Sequence, residues 1–350
     1  MRSESGLEET ITIMVRTALA DAETSDAPLT LPARVGSVKL GEKLGEGASG
    51  VVMAGFDEAL NRPVAVKFLH NTDRDSVARH EIVEGLRSAA RVRHPNIVTI
   101  HSVDAAGDLP FVVMERVGGG SLRDVLRKAA PLDTPLTLHI MIPIADAVAA
   151  LHDSAVIHRD LKPANILFDR DARPYVCDFG LACTLAAMSW GGSAANIGGS
   201  PLYMAPEMFE GRLSPQSDVY ALGAVLFEML VGEPAFKADT LSDMKARHAT
   251  APLPLEKLAE CGVGAGMIEV VERAMNKRHI LRYKNAGRLG RALAEQVTNA
   301  DDARLRSRLN DIIVGAPRSD AAAPAESSPA MTTFDLLRAR AAEKRRRANK

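Results

Sequence analysis

A change of texture near Ser121 constrains this chain more than any other feature. Before it, short runs rich in β-branched and aromatic residues recur at 38–44, 51–56, 64–69, 97–104 and 111–115, separated by turn residues such as Asn61-Arg62-Pro63. A single helical stretch, 75–91, interrupts them. After it helical periodicity takes over, with candidates at 121–129, 135–153, 217–231, 241–249, 265–276 and 285–298. Strands gathered in one part of a chain and helices in the next pack as an α+β arrangement. The expectation is a bilobal fold: a small β-rich N-lobe over 37–115 with one main helix, a larger helical C-lobe over 118–298, and a cleft between them.

The flanks read differently. Residues 1–36 form an extension in which 7–19 have the pattern of a short amphipathic helix. Residues 299–350 are rich in Ala, Pro, Ser and charge and are expected to be mostly disordered. A basic segment closes them, from Phe334 through Arg338, Arg340, Lys344, Arg345, Arg346 and Arg347 to Lys350. A formal net charge of -1 argues against a nucleic-acid binder driven by bulk charge. Cys177, Cys183 and Cys261 have neither paired nor metal-ligand spacing, which suits a reducing cytoplasm. The apolar stretch 221–230 is broken by Gly223 and Glu228 and fits a buried helix. No transmembrane segment is expected.

The chemistry-bearing strings come in a fixed order. In Gly45-Glu46-Gly47-Ala48-Ser49-Gly50, glycines at alternate positions let backbone approach phosphates, although an ordinary Gly-rich turn has the same composition. A dinucleotide fingerprint would open a helix here, and a strand follows instead; a P-loop would end in Gly-Lys-Ser/Thr, which is absent. Lys67 closes the apolar run 64–67, either as a snorkelling strand-end lysine or as a phosphate ligand. Then come His158-Arg159-Asp160-Leu161-Lys162-Pro163-Ala164-Asn165 and Cys177-Asp178-Phe179-Gly180. Phosphoryl transfer needs hard oxygen ligands for a metal, a carboxylate near the incoming hydroxyl, and positive charge on the phosphates. Asp160, Lys162, Asn165, Asp178 and Lys67 make up that inventory.

These strings resemble the protein kinase family across 38 to about 298, and the alanine-rich, compact domain resembles the eukaryote-like serine/threonine kinases of bacteria. The resemblance implies Mg2+ and ATP as cofactors and proteins as substrates, with autophosphorylation expected. It implies that Leu44, Gly45, Glu46, Gly47, Ala48, Ser49 and Gly50 cover the phosphates, with Val52 and Ala65 above adenine and Leu167 below it. Met114 resembles the gatekeeper, and the backbone of Glu115 and Val117 would bond adenine. Lys67 would hold the α/β-phosphates, Asp160 would accept the hydroxyl proton, and Lys162 would neutralise the moving phosphoryl. Asn165 and Asp178 would hold magnesium. The helix glutamate paired with Lys67 is expected to be Glu84, with Glu81 one turn away as the alternative.

Lys162-Pro163 resembles serine/threonine kinases, and Ser200-Pro201-Leu202-Tyr203-Met204-Ala205-Pro206-Glu207 resembles the family's substrate-docking segment, with Ser200 in place of the commoner threonine. Asp218 resembles the helix aspartate that holds the catalytic loop, and Arg282 is placed to pair with Glu207. Arg159 beside Asp160 implies regulation by a phosphate in 178–207, with Ser189 and Ser193 as candidates. Input is expected through an activating partner or self-association, with no nucleic acid required. The competing reading is a nucleotide-binding pseudokinase scaffold, which would be expected to lack Lys67, Asp160 or Asp178.

Overall fold

A computed structural model of the protein describes residues 31–47, 50–69, 76–106, 109–179, 183–184, 200–297 and 301–315, with the side chains of 76–82 and 183–184 outside that description. Ala48, Ser49, Ser189, Ser193, the 7–19 helix and the basic segment lie outside the described residues.

The N-lobe is one antiparallel sheet of six strands: β1 (Arg34–Val35), β2 (Val38–Gly47), β3 (Gly50–Asp57), β4 (Arg62–Leu69), β5 (Ile100–Ala106) and β6 (Leu109–Glu115), in the order β1-β2-β3-β4-β6-β5. Strand alternation sorts the side chains of β4. Val64, Val66 and Phe68 enter a core with Val35, Val38, Phe111 and Val113. Ala65, Lys67 and Leu69 take the opposite face, and Leu69 joins the main core of the molecule. Alternation alone therefore turns Lys67 towards the cleft. The sheet starts before the expected boundary: Leu31 packs against its core and β1 pairs with β2. Helix α1 (Ser76–Ala89) lies against β5.

The C-lobe follows as α2 (Leu122–Ala129), α3 (Thr134–Asp153), β7 (Val156–Ile157), β8 (Ile166–Phe168), β9 (Pro174–Val176), β10 (Cys183–Thr184), α4 (Pro215–Val231), α5 (Leu241–Thr250), α6 (Leu255–Glu260), α7 (Ala265–Ala274), α8 (Ala286–Ala294) and α9 (Asp302–Val314). Helix α4 is its axis. Pro215 opens it inside a Ser214/Ser217 capping box, Gly232 closes it in the left-handed conformation, and every residue from Ser217 to Leu230 is buried. A Cβ on Gly223 would come within 2.9 Å of Met275 and Ala274, so glycine sets how closely α7 approaches. Among the described residues α3 alone is long and apolar enough to cross a membrane, and 61% of that window is buried inside the protein.

Two departures from expectation stand at the chain's end. Helix α6 had no counterpart among the predicted segments. Helix α9 lies beyond residue 298, in the stretch expected to be mostly disordered, and is docked on the C-lobe. Leu309 is fully buried, Leu305, Ile312 and Ile313 pack on the core, and Asp301 caps its first turn. Four apolar residues on one face outweigh the polar composition around them. Asp302 and Arg308 tie it to His139 and Asp133 on and beside α3.

Beneath the 200–207 segment, the buried His248 ring sits among Phe209, Tyr220 and Phe236, and Tyr220 Oη lies 2.8 Å from its Nδ1. Burial, reinforced by Lys277, pushes the imidazole down to about 3. The unfolded chain therefore takes up a proton below about pH 6.5 that the folded chain refuses. This contribution to stability is complete above pH 6.5 and is lost as pH falls towards 3. Between pH 7 and pH 5 it amounts to about 2 kcal/mol. His248→Asn should flatten the loss of stability over that interval in denaturant titrations; a variant with the wild-type pH slope would contradict the assignment.

Candidate active site

The catalytic loop is built from below. Asp218, fully buried in the first turn of α4, accepts the backbone N–H of His158 through Oδ2 at 2.9 Å and that of Arg159 through Oδ1 at 3.0 Å. His152 Nε2 donates to the same Oδ2 at 2.9 Å, while its Nδ1 accepts the Ala286 N–H at 3.3 Å. Contacts at both ring nitrogens fix the orientation of the imidazole. Burial works against the Asp218 carboxylate, but the His152 hydrogen bond and the other donors hold its pKa below the usual range. Two non-glycine residues near the loop have positive φ, Arg159 at 72° and Asp178 at 66°. Conformations of this kind cost on the order of 1–3 kcal/mol and persist where neighbours over-determine them.

Asp160 receives three side-chain donors. Lys162 Nζ donates to Oδ2 at 2.6 Å, Asn165 Nδ2 to Oδ2 at 3.1 Å, and Ser200 Oγ to Oδ1 at 3.0 Å. Asn165 Nδ2 also binds the Asp160 carbonyl at 2.7 Å, which locks the loop around the carboxylate. Burial alone would lower the Lys162 pKa, and the Asp160 carboxylate outweighs it, so the group lies above the ordinary lysine value and stays cationic. The hydroxyl of Ser200 thus takes the place expected of it in the docking segment.

Lys67 reaches across the cleft to pair with Asp178, and its side chain is only 5% exposed. Burial would raise the Asp178 pKa; Lys67, with Lys162 behind it, holds the carboxyl well below the usual range. Phe179 is buried against His158, with ring centroids 5.2 Å apart, and His158 Nε2 lies 3.0 Å from the Cys177 carbonyl, so the turn carrying Asp178 is pinned on both sides. Asp178 and Asn165 supply hard oxygen donors, and no group of three or more His, Cys, Asp or Glu side chains is disposed to hold a metal among the described residues. A donor set this sparse, with an ionised carboxylate, fits Mg2+, which keeps waters and takes its other ligands from phosphates.

The Gly-rich hairpin also fits a nucleotide. A Cβ on Gly45 or Gly47 would meet nothing within 4 Å, so packing inside the protein does not explain either glycine. Gly50 differs: at φ +145° an added Cβ would stand 1.9 Å from the Phe68 carbonyl oxygen. Behind the hairpin, Met114, Val117 and Leu167 pack against a cluster of Val98, Tyr175 and Cys177, and Ala65 pairs with Met114 across β4 and β6. Glu115 N–H is bonded to the Thr99 carbonyl at 2.9 Å, whereas Val117 N–H has no acceptor among the described residues. Val52 lies opposite Lys67, and Leu44 is 43% exposed at the mouth. Burial pushes the Cys177 thiol up, which makes it a packing residue.

The Glu84 carboxylate pairs with Arg87 at 2.7 Å and its side chain is 44% exposed. The side chain of Glu81 lies outside the described residues.

The scaffold pair expected at Glu207 and Arg282 is present and bidentate, at 2.7 and 2.9 Å, with Ser217 Oγ donating to Glu207 at 2.8 Å. The other Arg282 N–H groups reach the carbonyls of Asn276, Gln216 and Lys277, and the guanidinium stacks over Tyr220. A second node was missed from sequence. Tyr203 Oη donates to Glu228 Oε2 at 2.6 Å, Arg123 Nη1 donates to Oε1 at 2.6 Å, and Arg123 also reaches Tyr203. The available signal was an acid inside the apolar run 221–230, which has to find a partner when buried.

The match to known proteins agrees with this geometry. The family model for the protein kinase domain matches residues 38–282. "Serine/threonine-protein kinase PknH" of Mycobacterium tuberculosis is 33% identical over 307 residues, covering 85% of this chain and 48% of that protein. "Serine/threonine-protein kinase PknB" of Mycobacterium leprae is 33% identical over 258 residues, covering 72% and 41%. The chain spans about half the length of the curated relatives it matches. Arg282 is the last residue of the family match. Arg282→Ala should cost about 3–5 kcal/mol by leaving Glu207 buried and unpaired. Denaturant unfolding checks this, and a loss below 1 kcal/mol would make the pair incidental.

Proposed function

The chain belongs to the protein kinase family, and from that premise we propose that it transfers the γ-phosphoryl group of ATP to serine and threonine hydroxyls of other proteins. The observation that carries this reading is the Asp160 carboxylate, oriented by Lys162, Asn165 and the docking-segment hydroxyl of Ser200, close to the Lys67–Asp178 pair. Magnesium-bound ATP supplies the phosphoryl group and part of the charge neutralisation when it binds.

Asp160 orients the incoming hydroxyl and finally holds its proton, and Lys162 faces the charge that develops on the transferred group. Lys67 holds the α/β-phosphates, with Asn165 and Asp178 as the metal ligands. The hairpin of Leu44, Gly45, Glu46, Gly47, Ala48, Ser49 and Gly50 closes over the phosphates. Val52, Ala65, Met114 and Leu167 enclose adenine, and Glu115 and Val117 offer it backbone groups. Glu84, with Glu81 one turn away as the alternative, is the acid that pairs with Lys67. Autophosphorylation at Ser189 or Ser193 would add about -1.5 to -2 charges between Asp178 and Glu207, which Arg159 can pair with. Unpaired Cys177 and Cys261 suit work in the cytoplasm.

Wild type and Asp160→Asn, incubated with Mg·ATP and a generic basic protein, test the reading. Phosphoserine and phosphothreonine should form with wild type, and the variant should be slower by about 10²–10⁴-fold with nucleotide affinity retained. Transfer at equal rates would remove Asp160 from this role, and none from a folded, ATP-binding wild type would favour a scaffold. Run alongside, Glu81→Gln and Glu84→Gln assign the helix acid.

A further inference from the structure

Helix α9 and the start of α3 enclose a cavity of about 530 Å³ on the C-lobe, away from the nucleotide cleft. Its walls are mainly apolar, with Pro135, Leu138, Ile142 and Leu305 among them, and Arg173 and Asp302 stand at its rim. A cavity of this size and character is one that proteins ordinarily fill with a ligand or an anchoring side chain. Arg173 is exposed and has no ion pair among the described residues, whereas Asp302 is paired with His139 at 2.9 Å yet 67% exposed.

The sequence beyond α9 supplies an occupant. From 316 to 350 the only large apolar residues are Met331, Phe334, Leu336 and Leu337, clustered within seven positions of otherwise Ala, Pro and polar chain. Met331, Phe334 and Leu337 recur every three residues, the spacing by which one helical face enters an apolar groove. Asp335 lies within the cluster and Arg338 and Arg340 follow it, charges opposite in sign to Arg173 and to the exposed Asp302 at the rim.

Reach permits the contact. The cavity adjoins Leu305 and Arg306, while α9 ends at Val314, roughly 13 Å along the helix. Residues 316–333, even as a random coil, span about 24 Å. Tethering at that range gives an effective concentration on the order of millimolar, so a weak apolar contact is enough to populate the bound form.

We propose that the cavity between α3 and α9 is the docking site of the chain's own 331–337 segment, with Phe334 and Leu337 as its anchors. One wall of the cavity, from Gln296 to Arg306, and the 331–337 segment both follow the residues matched by the kinase family, whereas the α3 wall lies within them. The proposal does not rest on catalysis and can fail while the kinase reading stands.

Two measurements on the full chain test it. With Phe334 replaced by photoreactive benzoylphenylalanine, irradiation should give intramolecular adducts on 134–143 or 297–306, in a monomer and independent of protein concentration. Adducts between two copies would assign the cavity to a partner chain's segment, and adducts elsewhere to neither; both overturn the proposal. In hydrogen exchange, amides of 134–143 should open at least fivefold faster in Phe334→Asp/Leu337→Asp than in wild type, with Arg173→Glu between them. The α4 amides serve as the control for global stability. Equal exchange at 134–143 in all three proteins would overturn it.

Discussion

The carboxylate of Asp218 is the contact on which the site depends. It is buried at the head of a helix that is itself almost wholly inside the protein, and it faces two backbone N–H groups of the catalytic loop together with one imidazole. A buried carboxylate that accepts several hydrogen bonds stays ionised, and its oxygens fix the donors in return. Arg159 can hold a left-handed backbone because Asp218 grips its N–H. The loop can then run on through Asp160 and Asn165 at the spacing that brings both side chains to the cleft. His152, in turn, joins Asp218 to the start of α8, so the loop is braced by three helices at once.

The same helix carries two further ionic nodes. Ser217 joins the Glu207–Arg282 pair, and Glu228 gathers Arg123 and Tyr203. Each node grips a different stretch of chain: the loop carrying Asp160, Glu207 at the end of the 200–207 segment, and Tyr203 within it. Burying charges in this way gains little stability over apolar packing, but losing one partner is costly. The arrangement therefore selects one geometry for the docking surface. Ser200, which donates to Asp160, sits between these anchors, so the Asp160 carboxylate and the 200–207 segment are positioned by one framework.

Much of this was legible in sequence where residue type and spacing had a single physical reading. The β-rich and helical textures on either side of Ser121 separate the two lobes, and the strings around Asp160 and Asp178 fall together at the cleft. What could not be read depended on contacts distant in sequence. Arg123 and Glu228 meet across 105 positions, and only the burial of an acid hinted at the pair. Helix α9 was hidden because its polar composition resembles a tail, while its four apolar positions matter only against the surface of α3. The choice between Glu84 and Glu81 depends on which face of α1 turns inward, which spacing alone does not encode. The N-terminal boundary moved for a similar reason, since β1 is too short to announce itself without β2 beside it.

The most direct test of this account is single-turnover phosphoryl transfer by Asp218→Asn, measured with nucleotide affinity on the same protein. The amide matches the carboxylate in shape, but one of its two positions is now an N–H donor set against a backbone N–H, which leaves a buried donor without an acceptor. Transfer should fall by about 10²-fold or more, the scale on which catalytic positioning is lost, while ATP affinity changes little and unfolding stays cooperative. Transfer at the wild-type rate would contradict the central claim that Asp218 holds the catalytic loop in its working geometry.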